Sequence, residues 1–234
     1  SLLATGLAAC TETEKNPPVS DMPAISVTYP TTEKVDQVDD YHGTEVADPF
    51  RWLEDENDKQ AAWIDAQNEV TFGYLEQIPF REAFRKRLEE IWNYPKYSAP
   101  FKRGGHYFYY LNDGLQNQSV LYTMDKLDGE ARVMLDPNTF SEDGTASLTT
   151  FAVSQDGKYA TYGISKGGSD WNEFYIREIA TGEALRDHLE WIKFSGASWH
   201  GNGFYYGRFA DPGDNELSGA NENKQIFYHK IGDD

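Results

Sequence analysis

Two stretches in the first half of the chain space their apolar side chains as helices do. In the first, Trp63, Ala66, Val70 and Tyr74 follow one another at intervals of three, four and four residues, which places them on one helix face. Asn57 or Asp58 is predicted to cap its start, because a short polar acceptor satisfies the free amide groups there. The pattern therefore predicts a helix with one buried face.

The second stretch follows Pro79, a residue that suits the first turn of a helix. It carries Phe84, Leu88 and Ile91 on one side, and basic residues on the other. The helix is predicted to end before Pro95, because a residue that precedes proline disfavours the helical region. Both helices are thus amphipathic, and residues 28–48 before them are polar and rich in turn formers.

After Tyr97 the chain changes to short aromatic strands separated by Gly, Asn and Asp. Residues 98–111, 152–165 and 196–209 each read as a strand, a tight turn with glycine, and a second strand rich in Tyr or Phe. Aligning Tyr107, Tyr159 and Phe204 gives spacings of 52 and 45 residues. A period of about 40–50 residues with four short strands indicates propeller blades rather than a sandwich.

Further strands are predicted at residues 119–124, 131–135, 174–179 and 191–194. Two full blades and most of a third then fit the chain. The predicted fold class is mainly β, a partial β-propeller of two to three blades preceded by an amphipathic helical segment. A propeller normally needs at least four blades to close, so this one is expected to be incomplete.

Composition and charge narrow the possible functions. The 234 residues include 21 Lys and Arg against 39 Asp and Glu, a formal charge of −18, and such a polyanion is not expected to bind nucleic acid. The sequence contains no run of 18 apolar residues, so it predicts no membrane-spanning helix in the 234 residues. Cys10 is the single cysteine, which rules out an intrachain disulfide and a cysteine zinc site.

The five histidines show no metal-binding pattern, because none pairs with another at i, i+4 on a helix. His42, before Gly43, is interpreted as a turn or packing residue rather than as a ligand. No metal and no cofactor is expected.

One short motif resembles the nucleophile elbow of serine hydrolases. Residues 163–167 read GISKG and match G-x-S-x-G, with Ser165 at the nucleophile position. That chemistry needs a helix directly after the serine, whereas Gly167 and Gly168 lead into another predicted strand. Ser165 is therefore interpreted as part of a loop between strands.

The first ten residues, SLLATGLAAC, resemble the end of a bacterial lipoprotein signal. In that interpretation Cys10 is the lipidated residue, residues 1–10 are a signal remnant, and the polar, proline-containing residues 11–28 form a tether. The predicted location is the bacterial periplasm, with the protein held on a membrane by its lipid anchor. The alternative is an ordinary apolar start with a buried cysteine.

Several segments carry a family likeness. DYHGTEVADPFRWLED (40–55), AQNEVT (66–71), NYPKYSAP (93–100) and NDGLQNQSVLY (112–122) resemble prolyl oligopeptidase, and GSDW (168–171) and IKFS (192–195) continue the likeness. The resemblance runs from about residue 29 to the last residue, and its motifs follow in the family's order. The GLQNQ segment points to the prolyl-specific branch.

This resemblance implies a serine peptidase in which a seven-bladed propeller caps an α/β-hydrolase domain. Residues 29–97 would then be the helical segment that packs on the hydrolase, and residues 98–234 the first blades. The family's catalytic Ser, Asp and His would lie beyond Asp234, so no catalytic residue is assigned here and the chain alone is expected to be inactive. The missing hydrolase domain is its expected partner.

The resemblance also implies two substrate-binding residues. Phe194 occupies the position of an aromatic that lines the pocket for the residue two positions before the substrate proline, with a strand residue in a blade core as the alternative. Asp170 is expected to pair with a substrate-binding arginine supplied by the missing part. The expected substrates are short proline-containing peptides, and a different possibility is a stand-alone, lipid-anchored binding propeller without enzymatic activity.

Overall fold

The described structure begins with a hairpin that the sequence pattern did not predict. In the computed structural model, described for residues 25–213, 216 and 219–233, β1 (Val38–Tyr41) pairs antiparallel with β2 (Thr44–Ala47). His42 and Gly43 form its turn, with φ values of 58° and 88°. The prediction that His42 is a turn residue is confirmed.

Ion pairs of Arg51 connect the hairpin to the short 3-10 helix Arg51–Glu54. The guanidinium of Arg51 donates to the carboxylates of both Asp48 and Asp39. These hydrogen bonds, the one to Asp48 foremost, raise the pKa of Arg51. Arg51 thus fixes the 3-10 helix to β1 and to Asp48, the residue that follows β2.

Both predicted helices are present. α1 spans Asp58–Glu76 and α2 spans Arg81–Trp92. Asn57 is the cap of α1, because its side-chain oxygen accepts from the amides of Lys59 and Gln60 at 3.0 and 3.1 Å. α2 ends before Pro95, as predicted.

The apolar faces of these helices are only partly covered. Trp63, Ala66 and Val70 are half-buried, while Tyr74 is exposed. The apolar residues of α2 are exposed as well: Phe84, Leu88 and Ile91. The prediction of a buried helix face is therefore confirmed only in part, and apolar surface stays open on both helices.

The chain divides into two compact units between Lys86 and Arg87. The second unit contains three successive antiparallel sheets. Sheet 1 consists of β3 (Lys96–Tyr97), β4 (Phe101–Arg103), β5 (His106–Asn112), β6 (Val120–Met124) and β7 (Arg132–Leu135). Sheet 2 consists of β8 (Ser147–Val153), β9 (Tyr159–Ser165), β10 (Asn172–Glu178) and β11 (Ala184–Ile192). Sheet 3 consists of β12 (Ser198–His200), β13 (Gly203–Arg208) and β14 (Gln225–Lys230).

The three predicted hairpins are confirmed as β4–β5, β8–β9 and β12–β13. Tyr107, Tyr159 and Phe204 each lie on the second strand of their hairpin, so the alignment that gave the blade period is confirmed. One strand was placed wrongly: the fourth strand of sheet 2 is Ala184–Ile192 rather than residues 191–194.

Two apolar cores lie between neighbouring sheets. The first joins sheets 1 and 2 and includes Phe108, Leu121, Met134, Ala160 and Tyr162. The second joins sheets 2 and 3 and includes Phe174, Ile176, Ile192, Phe204 and Tyr206. Each sheet thus buries its apolar face only against a neighbour, as propeller blades do.

Polar contacts lock the same interfaces. Between sheets 1 and 2, Arg177 donates to the carbonyl of Met134 at 3.0 Å, and Arg132 donates to the carbonyl of Ile179 in return. Between sheets 2 and 3, buried His229 lies 2.7 Å from buried Asp187. Hydrogen bonds between side chains and neighbouring sheets therefore add to the apolar cores in holding the three sheets together.

Candidate functional site

The longer connections of sheets 2 and 3 lie at one end of the strands. Because successive strands are antiparallel, residues 166–171, residues 193–197 and the described part of residues 209–224 all leave the sheets at the end where β9, β11 and β13 finish. We call this the loop end. The short turns at residues 154–158 and 201–202 lie at the opposite end, which we call the turn end.

An aromatic cluster forms the centre of the loop end. Trp171 meets Trp191 edge to face, with ring centroids 5.8 Å apart, and meets Phe209 in the same way at 5.9 Å. The indole nitrogen of Trp171 donates to the carbonyl of Glu216 at 2.8 Å. The cluster thus joins two connections, one within sheet 2 and one within sheet 3, to the end of β11.

A pocket of about 330 Å³ opens beside this cluster. Trp171 and Phe209 supply its apolar wall, while Asp211, Asn221 and Glu222 supply polar groups. Concave sites with an aromatic wall and a few polar groups are typical of ligand pockets.

Both predicted substrate-binding residues lie in connections at the loop end, Asp170 in residues 166–171 and Phe194 in residues 193–197. Asp170 directly precedes Trp171 and is exposed. Within the described part of the chain, no cation lies within 4.0 Å of its carboxylate. The Asp170 carboxylate is therefore open to a partner, and its pairing with an arginine stays a prediction.

Phe194 follows β11 and is 71% exposed, with a φ of 51°. The alternative interpretation of Phe194 as a strand residue in a blade core is wrong, because the strand ends at Ile192 and the chain then turns outward. The ring is left free at the loop end.

A second, smaller pocket of about 150 Å³ lies on the other side of Trp171. On its wall, Glu173 accepts from Lys166 at 2.6 Å, from His188 at 2.9 Å and from the hydroxyl of Tyr175. Burial would raise the pKa of Glu173, but these hydrogen bonds outweigh it and hold the pKa below its usual value. Glu173 is therefore a paired structural anion.

Ser165 is a structural residue. It ends β9, is buried, and its hydroxyl donates to the carbonyl of Ser169 at 2.5 Å. The chain then turns through Gly167 and Gly168 into β10. No helix begins after Ser165, so GISKG does not form a nucleophile elbow, as expected. The interpretation of Ser165 itself as a loop residue is wrong, because it is the last residue of β9 and pairs with Asn172.

No metal centre is found among the residues that the structure describes, where no three His, Cys, Asp or Glu side chains come together. Neither described helix is long and apolar enough to cross a membrane. Cys10, the signal remnant and most of the tether lie outside the described residues.

The comparisons with known proteins identify the family. Residues 29–234 match the family model for the prolyl oligopeptidase N-terminal β-propeller domain. The chain belongs to the prolyl oligopeptidase family. Among curated relatives, a prolyl endopeptidase of Elizabethkingia miricola is 45% identical over 217 residues, covering 92% of this chain and 31% of the relative. A prolyl endopeptidase of Elizabethkingia meningoseptica is 46% identical over 207 residues, covering 87% and 29%.

Solved structures of the family show the same fold. One from a study of two prolyl endopeptidases matches with a TM-score of 0.78 and 34% identity, covering 88% of this chain and 31% of that one. Prolyl oligopeptidase B of Galerina marginata, bound to a 35mer hydrolysis and macrocyclization substrate, matches with a TM-score of 0.75 and 32% identity, covering 88% and 32%. The chain therefore spans about a third of the length of these prolyl oligopeptidases.

Two of the family-like segments prove to be structural. In GLQNQ, Asn117 donates to the carbonyl of Gly144 at 3.0 Å and Gln118 to that of Ala146 at 2.6 Å. In NYPKY, Lys96 donates to the carbonyls of Trp92 and Gly114, at 2.9 and 2.5 Å. These contacts fasten the connection between sheets 1 and 2, and the end of α2, to one loop of sheet 1.

Proposed function

We propose that this chain is part of a serine oligopeptidase that cleaves short peptides after proline, and that its loop end supplies one wall of the substrate pocket. The nucleophile, acid and histidine would come from a hydrolase domain outside the 234 residues, and the propeller would exclude folded proteins from that centre. Support comes from relatives named prolyl endopeptidase and from family structures that hold peptide substrates.

The observation that carries this proposal is the placement of Phe194. A phenylalanine that is 71% exposed at the loop end is unfavourable in water unless another surface covers it. A substrate side chain in the closed enzyme would provide that cover. The unpaired carboxylate of Asp170 would take an arginine from the hydrolase domain on the same side.

The test is made in the protein encoded by the whole gene, with peptides that carry an apolar residue two positions before proline. Phe194→Ala is expected to lower kcat/KM for these peptides by about tenfold, mainly through KM, because an apolar contact is lost. The effect should be small for peptides with glycine at that position.

Leu127→Ala is the matched control, because Leu127 is also exposed but lies in the 125–131 turn, at the end opposite the loops. An equal effect of both variants would refute the assignment of Phe194. A whole gene product without peptidase activity would instead favour the stand-alone binding propeller.

We further propose that Cys10 is lipidated and anchors the protein to a membrane in the bacterial periplasm. The support is the sequence pattern around Cys10, followed by a polar tether, and several acyl chains at one residue would hold firmly. The measurement is the mass of the amino-terminal peptide from membrane-extracted protein, produced in a bacterial host with its complete signal. An unmodified Cys10 would contradict this proposal.

A further inference from the structure

Lys193 is a buried cation without a carboxylate partner in the described structure. The residue is 8% exposed, and no Asp or Glu among the described residues lies within 4.0 Å of its Nζ. Instead, Nζ lies 4.0 Å from the ring centroid of Trp171 and donates to Oδ1 of Asn221 at 3.2 Å. Since lysines are almost never fully buried unless they are paired, this placement calls for a specific role.

The backbone around Lys193 is strained. Trp191 and Phe194 have φ values of 62° and 51°, in a region where bulky residues are outliers. Such strain persists only where surrounding contacts hold it. Here the amide of Phe209 donates to the carbonyl of Trp191 at 2.9 Å, and Nζ of Lys224 donates to the carbonyl of Phe194 at 2.7 Å.

The strained turn sends two adjacent side chains in opposite directions. Phe194 faces solvent, whereas Lys193 reaches under the loop end to Trp171 and Asn221. Trp171 and Asn221 both line the pocket of about 330 Å³. The buried Lys193 therefore contacts two residues that line the pocket, although it does not line the pocket itself.

We propose that Lys193 is a positioning residue that fixes the Trp171 ring and the Asn221 amide, and so sets the shape of the pocket that these two residues line. That the pocket receives peptide rests on the proposed function, whereas the contacts of Lys193 do not. The cation acts through the π face of Trp171, an attraction that strengthens when both groups are removed from water.

The test measures hydrogen exchange of the tryptophan indoles by NMR in the 234-residue chain. Trp171 and Trp199 are a matched pair, because each indole donates to a backbone carbonyl, that of Glu216 at 2.8 Å and that of Ala152 at 3.1 Å. The two signals are assigned with the Trp171→Phe and Trp199→Phe variants. Trp199 reports on the sheets alone, since it has no contact with Lys193.

Lys193→Met keeps most of the aliphatic length and removes the ammonium group, with its charge and its hydrogen bond to Asn221. Exchange of the Trp171 indole is expected to become about tenfold faster, while that of Trp199 stays unchanged. Lys193→Arg, which keeps a cation able to stack on an aromatic ring, is expected to restore slow exchange. Lys158→Met, at an exposed lysine of the turn end, should change neither indole.

Three results would overturn the proposal. The first is unchanged exchange at Trp171 in Lys193→Met, and the second is an equal loss of protection at Trp171 and Trp199, which would show a general loss of stability. The third is an arginine variant that exchanges as fast as the methionine variant. Because the measurement needs no peptide, a failure of the proposed peptide site would not produce any of them.

Discussion

Gly104 and Gly157 approach each other more closely at the turn end than any other residue type would allow. A Cβ on Gly157 would lie 1.8 Å from the carbonyl oxygen of Gly104. Gly157 also has a φ of 72°, which L side chains rarely adopt. Two separate penalties therefore act on any substitution, one from the backbone conformation and one from the contact between sheets 1 and 2.

Gly182→Ala separates these penalties, because Gly182 has a φ of 76° but nothing within 4 Å of the position of its Cβ. We expect Gly182→Ala to lower the free energy of unfolding by about 1–2 kcal/mol. Gly157→Ala should cost at least about 2 kcal/mol more, because the backbone of the neighbouring turn must move. Urea unfolding of both variants is the measurement, and equal costs would show that the turns separate freely.

The residues of the loop end differ in how visible they are in the sequence. Phe194 and Asp170 were proposed through the family resemblance, and both lie in connections at the loop end. The contact between Lys193 and Asn221 gave no signal, although Lys193 lies in the family-like IKFS segment, because it joins residues 28 positions apart and follows no spacing rule. Residue patterns report local periodicity, so a lysine buried against a distant ring cannot be told from an exposed one.

At the scale of elements, the sequence predicted those strands whose side chains alternate between a core and a more open face. Strand β13 is of this kind, with Phe204 and Tyr206 buried and Tyr205 between them exposed. Strand β9 was also predicted, although it is buried on both faces. The hairpin of β1 and β2 was missed because seven of its eight residues are exposed, and no apolar alternation marks it.

Strand β11 shows a different cause of failure. Its buried positions include Asp187, a charged residue that sequence patterns assign to the surface. Asp187 is buried because His229 and the amide of Gly232 both bond to its carboxylate, each at 2.7 Å. A partner 42 residues away thus makes a polar position part of the interior. The same pair explains why the sequence did not predict β14. The one buried residue of that strand is the polar His229, so no apolar alternation marks it.

At the scale of the whole molecule, the three sheets contact one another in sequence order. Sheet 2 packs on both neighbours, whereas sheet 3 leaves Tyr205, Ile226 and Tyr228 exposed on its other face. An apolar face of this kind is what a following blade would cover in a longer propeller. The likeness to relatives three times as long agrees with that arrangement.

The paired arginines between sheets 1 and 2 have a consequence for how the chain responds to ionic strength. Arg132 and Arg177 donate hydrogen bonds to backbone carbonyls rather than to carboxylates. The strength of these partly buried hydrogen bonds therefore depends little on counterions. The net charge of −18 acts the other way, since repulsion among surface carboxylates destabilises the fold until ions screen it. Raising sodium chloride from about 0.01 M to about 1 M shortens the screening length from about 30 Å to about 3 Å.

The melting temperature of the chain is therefore expected to rise with sodium chloride, because screening weakens the repulsion among its surface carboxylates. Scanning calorimetry across that range is the measurement. A melting temperature that falls with added salt would contradict this expectation. It would mean that exposed ion pairs hold the sheets together, rather than the hydrogen bonds from arginine to carbonyl oxygens and the apolar cores.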